Sequence, residues 1–124
     1  MKSQVNRSAP ARSAVLGALA AVAAGLVSPA ASAGTTIAAI QSIRLNSSAN
    51  LVYVYPVSGV QGAPSCQAAT SASYYSFSMT RPMAKEYLAA LLSAHARGTP
   101  VTLVGTGACQ DEATSETLDS LSLN

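Results

Sequence analysis

The first 33 residues carry the pattern of a secretory signal peptide, which decides how much of the chain is left to fold. A basic start precedes an unbroken apolar stretch over residues 14–27 and a small-residue triplet at residues 31–33. As a helix the apolar stretch would be about 21 Å long, against a membrane hydrocarbon core of about 30 Å. We expect cleavage after Ala33 and a mature chain of 91 residues beginning at Gly34. The alternative is an uncleaved N-terminal anchor.

The charge of the predicted mature chain argues against a nucleic-acid partner. The whole chain has a formal charge of +2, but three of its seven basic residues lie in the predicted signal peptide. The rest has four scattered basic residues and five acidic ones, a net charge of −1. Nucleic-acid binding needs clustered Lys and Arg that neutralise phosphates. An apolar fraction of 49% with 10% charged residues also excludes a disordered chain.

The two cysteines, Cys66 and Cys109, both lie in the predicted mature chain. Export places them in an oxidising compartment, so we expect one disulfide between them. That bond would close a loop of 44 residues. A loop of this size is stabilised by about 4 kcal/mol in the chain-entropy model. Two cysteines and one histidine cannot complete a closed zinc site, so we expect no structural metal.

Three segments before the middle of the mature chain favour strands. Residues 35–45 mix isoleucines with Thr, Gln and Arg, although the apolar residues recur at nearly helical spacing. Residues 51–55 are β-branched or aromatic after the first position, and the Asn- and Ser-rich residues 46–50 favour a turn. In residues 74–79 large side chains alternate with serine. The intervening residues 58–73 have the composition of a surface loop.

The periodicity then changes to that of a helix over residues 81–97, with an apolar stripe at three- and four-residue steps. Thr80 is the predicted N-cap, and Gly98 marks the end. Two further strands are predicted at residues 101–104 and 117–123.

The resulting element order is β-β-β-α-β-β in a single domain over residues 34–124. This is the order of an OB-fold, a partly open Greek-key barrel, so the predicted fold class is a β-barrel with one helix (α+β). The helix would close one end of the barrel. The disulfide would join the start of the third strand to the end of the fourth.

Residues 74–77, the helical run 85–92 and the strand 100–104 closing on Cys109 resemble the B subunit of subtilase cytotoxin and related small exported bacterial proteins. The likeness covers residues 36–124. It implies a secreted OB-fold protomer that assembles as a ring of five and binds sialylated glycans through the side of its barrel. This chain differs in having a single disulfide and no tryptophan, and no sugar-binding residue of the family is matched by position.

The sequence offers no catalytic set, and we predict a protein that is not an enzyme and uses no cofactor. His95 is the single histidine, so a Ser-His or Cys-His nucleophile would require it. Hydrolase, zinc-protease and phosphate-loop motifs are missing from the sequence. The remaining alternatives are calcium binding and glycoside hydrolysis by paired carboxylates, and both would depend on four acidic residues. These are Asp111, Glu112, Glu116 and Asp119. The spacing of these residues matches no calcium-binding loop, and nothing in the element order brings two of the carboxylates together.

Tyrosines supply the candidate binding residues, Tyr53, Tyr55 and Tyr74. Tyr53 and Tyr55 share one face of a strand whose other face carries valines. Since a small barrel buries one face of each strand, either the tyrosines or the valines must point outward. Outward tyrosines could stack on a sugar ring or pack on a neighbouring subunit. The leading hypothesis is an exported binding or assembly module; the alternative is a periplasmic structural or inhibitory protein that acts through protein contacts.

Overall fold

The computed structural model of the protein describes Gly25 and residues 32–124. Apart from Gly25, Ser32 and Ala33, the predicted signal peptide therefore lies outside the described residues. The elements are, in chain order, β1 (Thr35–Ala38), β2 (Ile40–Asn46), β3 (Leu51–Pro56), α1 (Ser65–Ala68), β4 (Tyr75–Ser78), α2 (Ala84–Arg97), β5 (Val101–Gly105) and β6 (Leu118–Leu123). They form an α+β arrangement of two three-stranded antiparallel sheets, β2-β3-β4 and β1-β5-β6, with one main helix.

The segment predicted as the first strand, residues 35–45, forms two strands, β1 and β2. It breaks at Ala39, and its halves β1 and β2 pair in different sheets, because β1 lies against β5 and β2 against β3. Alternation continues across the break, since Thr36, Ala38 and Ile40 are buried whereas Ile37 is 66% exposed. The set of inward-facing residues changes at the register shift between Ile40 and Ser42, after which Ile43 packs against the core. This shift explains the three-residue spacing of the inward-facing Ile40 and Ile43.

The predicted element order is also incomplete in the loop over residues 58–73. This loop contains α1, a single helical turn, so the observed order is β-β-β-α-β-α-β-β. The turn follows Pro64, whose ring suits the start of a helix. A run rich in Gly, Pro, Ser and Ala gives too few apolar positions to predict so short a helix.

The pairing of β3 with β4 builds the core. Val52 lies opposite Phe77 and Val54 opposite Tyr75, and none of these four side chains is exposed to solvent. The valines of β3 therefore point inward, and the tyrosines of β3 occupy the other face of the sheet.

Helix α2 packs its stripe of Ala84, Leu91 and Ala94 into the same core. Its end is as predicted, since Gly98 adopts a left-handed conformation (φ 64°) and its amide donates back to the carbonyl of His95. The predicted start is three residues too early. The helix begins at Ala84, because Met83 has a left-handed conformation (φ 60°) that no α-helix includes, and because Arg81, which precedes Pro82, disfavours helical angles.

Thr80 is correspondingly not the N-cap of α2. Met83 occupies that position with φ 60° and makes no side-chain capping hydrogen bond. The hydroxyl of Thr80 lies 2.8 Å from the hydroxyl of Ser78 instead.

The predicted disulfide is confirmed. Cys66 lies in α1 and Cys109 follows β5, with their Cα atoms 6.3 Å apart. Because α1 precedes β4 and Cys109 follows β5, the bond ties segments attached to the two different sheets. Within residues 32–124, neither helix is long and apolar enough to cross a membrane.

Removal of the disulfide should destabilise the fold substantially. In the double variant Cys66→Ala/Cys109→Ala we expect the free energy of unfolding to fall by about 4 kcal/mol, as loop closure over 44 residues predicts. Urea unfolding at pH 7 measures the loss. Reduced wild-type protein should match the variant, whereas Leu92→Ala, at an exposed helix position, should leave the midpoint nearly unchanged. A loss below about 1 kcal/mol would contradict the estimate.

Candidate functional site

Three tyrosine rings meet on the outer face of the β2-β3-β4 sheet. Tyr53 and Tyr55 project from β3, and Tyr74 immediately precedes β4. The ring centroids of Tyr53 and Tyr74 are 5.3 Å apart at an interplanar angle of 80°, and those of Tyr55 and Tyr74 are 4.9 Å apart at 40°. Each ring is half-buried. The structure thus brings together all three candidate residues; we call them the tyrosine cluster.

Polar side chains surround the tyrosine cluster. The side-chain amide of Asn46 donates to the hydroxyl of Tyr53 at 3.3 Å. The hydroxyl of Tyr74 donates to Oε2 of Glu112 at 3.4 Å. Arg44 lies opposite Tyr53 in the β2–β3 register and is exposed, and it forms no salt bridge within residues 32–124. Aromatic faces with flanking amide, carboxylate and guanidinium groups can hold a polar ligand that also has apolar surface.

The backbone carbonyl of Tyr74 is held by a residue that the sequence did not single out. Gln67, next to the disulfide in α1, is fully buried, and its amide nitrogen donates to the carbonyls of Ala72 (2.8 Å) and Tyr74 (3.1 Å). Its amide oxygen accepts the backbone N–H of Glu116 at 2.8 Å. A glutamine in a loop-like run carries no sequence signal for this role, because its partners are set by the tertiary fold.

The hydroxyl group of Tyr74 stays protonated at neutral pH. A hydrogen bond with Thr114 lowers the pKa of Tyr74, but burial and the nearby carboxylate of Glu112 together raise it more, so the pKa lies above its ordinary value. Tyr74 therefore remains a hydrogen-bond donor over the physiological pH range.

The four acidic residues take separate places instead of forming one site. Within residues 32–124, no group of three or more His, Cys, Asp or Glu side chains is arranged to hold a metal ion. Glu112 lies beside the tyrosine cluster, with Oε2 also 2.6 Å from the hydroxyl of Ser115. Asp111 accepts the backbone N–H of Ser78 at 2.8 Å and forms a salt bridge with Arg81. Asp119 is exposed.

Glu116, the fourth acidic residue, is fully buried. Its Oε1 accepts the backbone N–H of Gly34 at 3.0 Å and that of Gly107 at 2.9 Å. Burial raises the pKa of Glu116, and the two backbone hydrogen bonds offset only part of that effect. Glycine at position 105 makes room for this carboxylate, since a Cβ there would lie 2.0 Å from Oε1 of Glu116.

His95 lies at the end of α2, where its Nδ1–H donates to the carbonyl oxygen of Ile40 at 2.9 Å. Ile40 begins β2, just after the break at Ala39. This hydrogen bond joins the C-terminal end of α2 to the start of β2. His95 therefore has a structural role.

Comparison of this chain with family models, with curated proteins and with solved structures finds no match.

The salt bridge between Asp111 and Arg81 should make stability depend on pH in the acid range. Burial alone would raise the pKa of Asp111, but hydrogen bonds from Arg81 and the Ser78 amide outweigh it, and the pKa lies below its ordinary value. The pair therefore stabilises the fold fully above the ordinary aspartate pKa of about 3.9, and that contribution is lost as pH falls through the lower folded-state pKa.

We expect Asp111→Asn to lose about 2 kcal/mol of stability at pH 7, the scale of a hydrogen bond to a charged group. Its unfolding midpoint should also fall less steeply than that of the wild type below about pH 4. Urea unfolding between pH 2.5 and pH 7 measures both effects, and Asp119→Asn serves as the exposed control. Equal acid dependence in wild type and Asp111→Asn would contradict the assignment.

Proposed function

We propose that this protein is an exported binding module without catalytic activity, and that the tyrosine cluster is its ligand-binding surface. The observation that carries the proposal is the convergence of three half-buried rings, which come from two segments of the chain. Rings that serve only as core would point toward the valine face, as Tyr75 does. Aromatic rings at a solvated surface stack on the apolar faces of sugars while their hydroxyls bind polar groups.

An OB-like barrel is the architecture we propose for this module. Its support is the cycle of strand contacts. β2 pairs with β3 and β3 with β4, and Ser76 of β4 forms a parallel bridge to Thr117, just before β6. β6 pairs with β5 and β5 with β1, which runs through Ala39 into β2. A five-stranded, partly open Greek-key barrel has this cycle if β1 and β2 count as one bent strand.

The position of the tyrosine cluster within such a barrel favours a carbohydrate ligand. In OB-folds the face of the second and third strands binds oligosaccharides and oligonucleotides. Here those strands are β3 and β4, and the cluster lies on their outer face. Between the two ligands, the net charge of −1 over residues 34–124 favours the oligosaccharide.

We propose further that the glycan carries a carboxylate, as the resemblance to toxin B subunits implies through its sialylated ligands. Arg44 supports this, because its exposed guanidinium group lies across from Tyr53. A guanidinium binds a carboxylate through two parallel hydrogen bonds. The sugar ring would then stack on the tyrosines while its acid group is bound at the edge of the sheet.

Assembly through protein contacts is the second candidate. A groove of about 180 Å³ lies between β2 and α2, lined in part by Leu45, Met79 and Leu88. Leu45 is 65% exposed, and Leu92, one turn after Leu88, is 48% exposed. Exposed apolar side chains beside a groove are typical of a surface that packs on another subunit or protein. This surface supports either the ring of five implied by the resemblance or a partner in the exporting cell.

Substitutions in the tyrosine cluster should weaken glycan binding without unfolding the protein. We expect Tyr53→Ala and Tyr74→Ala each to weaken binding by at least about tenfold, the effect of losing one stacking contact of about 1.4 kcal/mol. Arg44→Ala should weaken binding of sialylated glycans and spare their neutral analogues. A glycan array followed by calorimetry on the best ligand measures these losses.

Arg97→Ala, an exposed arginine on α2, is the matched control for Arg44→Ala. Light scattering on the same samples gives the size of the assembly. A folded wild-type protein that binds no glycan on the array would reject carbohydrate binding. If that protein also formed an oligomer that Leu45→Glu dissociates, the protein-contact function would be favoured.

A further inference from the structure

The buried carboxylate of Glu116 receives only neutral donors. Its Oε1 accepts two backbone N–H groups, from Gly34 and Gly107. Its Oε2 is buried and has no hydrogen-bond partner among the described residues. A buried carboxylate oxygen without a partner costs free energy whenever the group is ionised. The site therefore lacks one positive or donating group.

Gly34 is the residue that lies against this carboxylate. It is buried, while Ser32 and Ala33 immediately before it are exposed. A Cβ at position 34 would lie 2.8 Å from Oε2 of Glu116 and 2.5 Å from the carbonyl oxygen of Gln61. Only glycine fits so close a contact. The unpartnered oxygen thus lies directly beside Gly34.

Gly34 is also the first residue after the predicted cleavage point. The small-residue triplet at residues 31–33 is the feature that signal peptidases recognise, and its last residue is exposed. Two independent observations, the leader pattern and the buried contact of Glu116, therefore meet at one backbone nitrogen.

We propose that cleavage after Ala33 converts the Gly34 nitrogen into an α-ammonium group that becomes the buried counter-ion of Glu116. Hydrolysis breaks the bond between the carbonyl carbon of Ala33 and the nitrogen of Gly34. The water oxygen bonds to that carbon and gives a carboxylate on the released leader. Both water protons end on the Gly34 nitrogen, which becomes NH₃⁺.

The ammonium supplies what the site lacks. It has three donors where the amide has one, so it can keep the bond to Oε1 and also reach Oε2. It also matches the carboxylate's charge in surroundings where ion pairing is strong. The folded state is therefore stabilised by the processing step itself, so the exported chain reaches its full stability only after the leader is removed. This inference is independent of any glycan binding.

The test uses the full 124-residue chain, exported and processed by the cell, with the disulfide intact. Intact mass should show Gly34 as the first residue. The matched variant has one leucine inserted between Ala33 and Gly34. Leucine is not a small residue, so cleavage stays after Ala33. Gly34 then keeps an amide N–H, while the ammonium moves out of the site.

At pH 7 the insertion should raise the unfolding equilibrium constant at least about tenfold, or about 1.4 kcal/mol. When Glu116→Gln is placed in both backgrounds, the ratio should shrink to within about twofold, as additivity requires when the partner is gone. If Glu116→Gln prevents folding, NMR titration of the N-terminal amine of each chain decides, which is Gly34 in the wild type and the inserted residue in the variant. The pKa of the wild-type amine should exceed the ordinary value of about 8, and that of the variant amine should not. Tyr75 on β4, the titratable side chain that interacts with Glu116, is followed in parallel.

A mature chain that begins at another residue would overturn the proposal. Equal stability of the wild type and the insertion variant would also overturn it. So would an insertion effect that persists undiminished with Glu116→Gln, or N-terminal amines that titrate alike in the wild type and the insertion variant.

Discussion

The alternation of β3 and β4 is the constraint on which the rest of the structure depends. Val52 and Val54 must face the interior, because they lie opposite Phe77 and Tyr75 and share one core with α2, β5 and β6. A strand has only two faces, so the burial of the valines forces Tyr53 and Tyr55 onto the outer surface. The candidate binding surface is thus a consequence of the same register that makes the core.

The two sheets are held together by polar as well as apolar contacts. The backbone N–H of Ser76 donates to the carbonyl of Glu116 at 3.0 Å, and Gln67 joins α1 to both Tyr74 and Glu116. The disulfide fixes α1 beside these contacts. Helix α1 therefore contacts both the residue before β4 that belongs to the tyrosine cluster and the segment that contains Glu116.

Local patterns in the sequence were sufficient to predict α2, its end at Gly98, the strand β3 and the pairing of the two cysteines. The helix and the strand follow from the periodicity and the residue types of their segments, and the helix end follows from one glycine. The disulfide follows because two cysteines can pair in only one way. The break at Ala39 and the register shift after Ile40 could not be predicted, because three-residue spacing of apolar residues fits a helix as well as an interrupted strand. Neither could the burial of Glu116, whose partner Gly34 is 82 residues away. The tyrosines were predicted as candidates, but their convergence required the register of both strands.

The central claim is that the outward tyrosine face binds a sugar, and NMR of the tyrosine ring protons tests it most directly. During titration with a sialylated trisaccharide, the rings of Tyr53, Tyr55 and Tyr74 should shift, while that of Tyr87, packed at 6.0 Å against Phe77, should not. Shifts confined to Tyr87, or an unchanged tyrosine cluster at saturating sugar, would contradict the account.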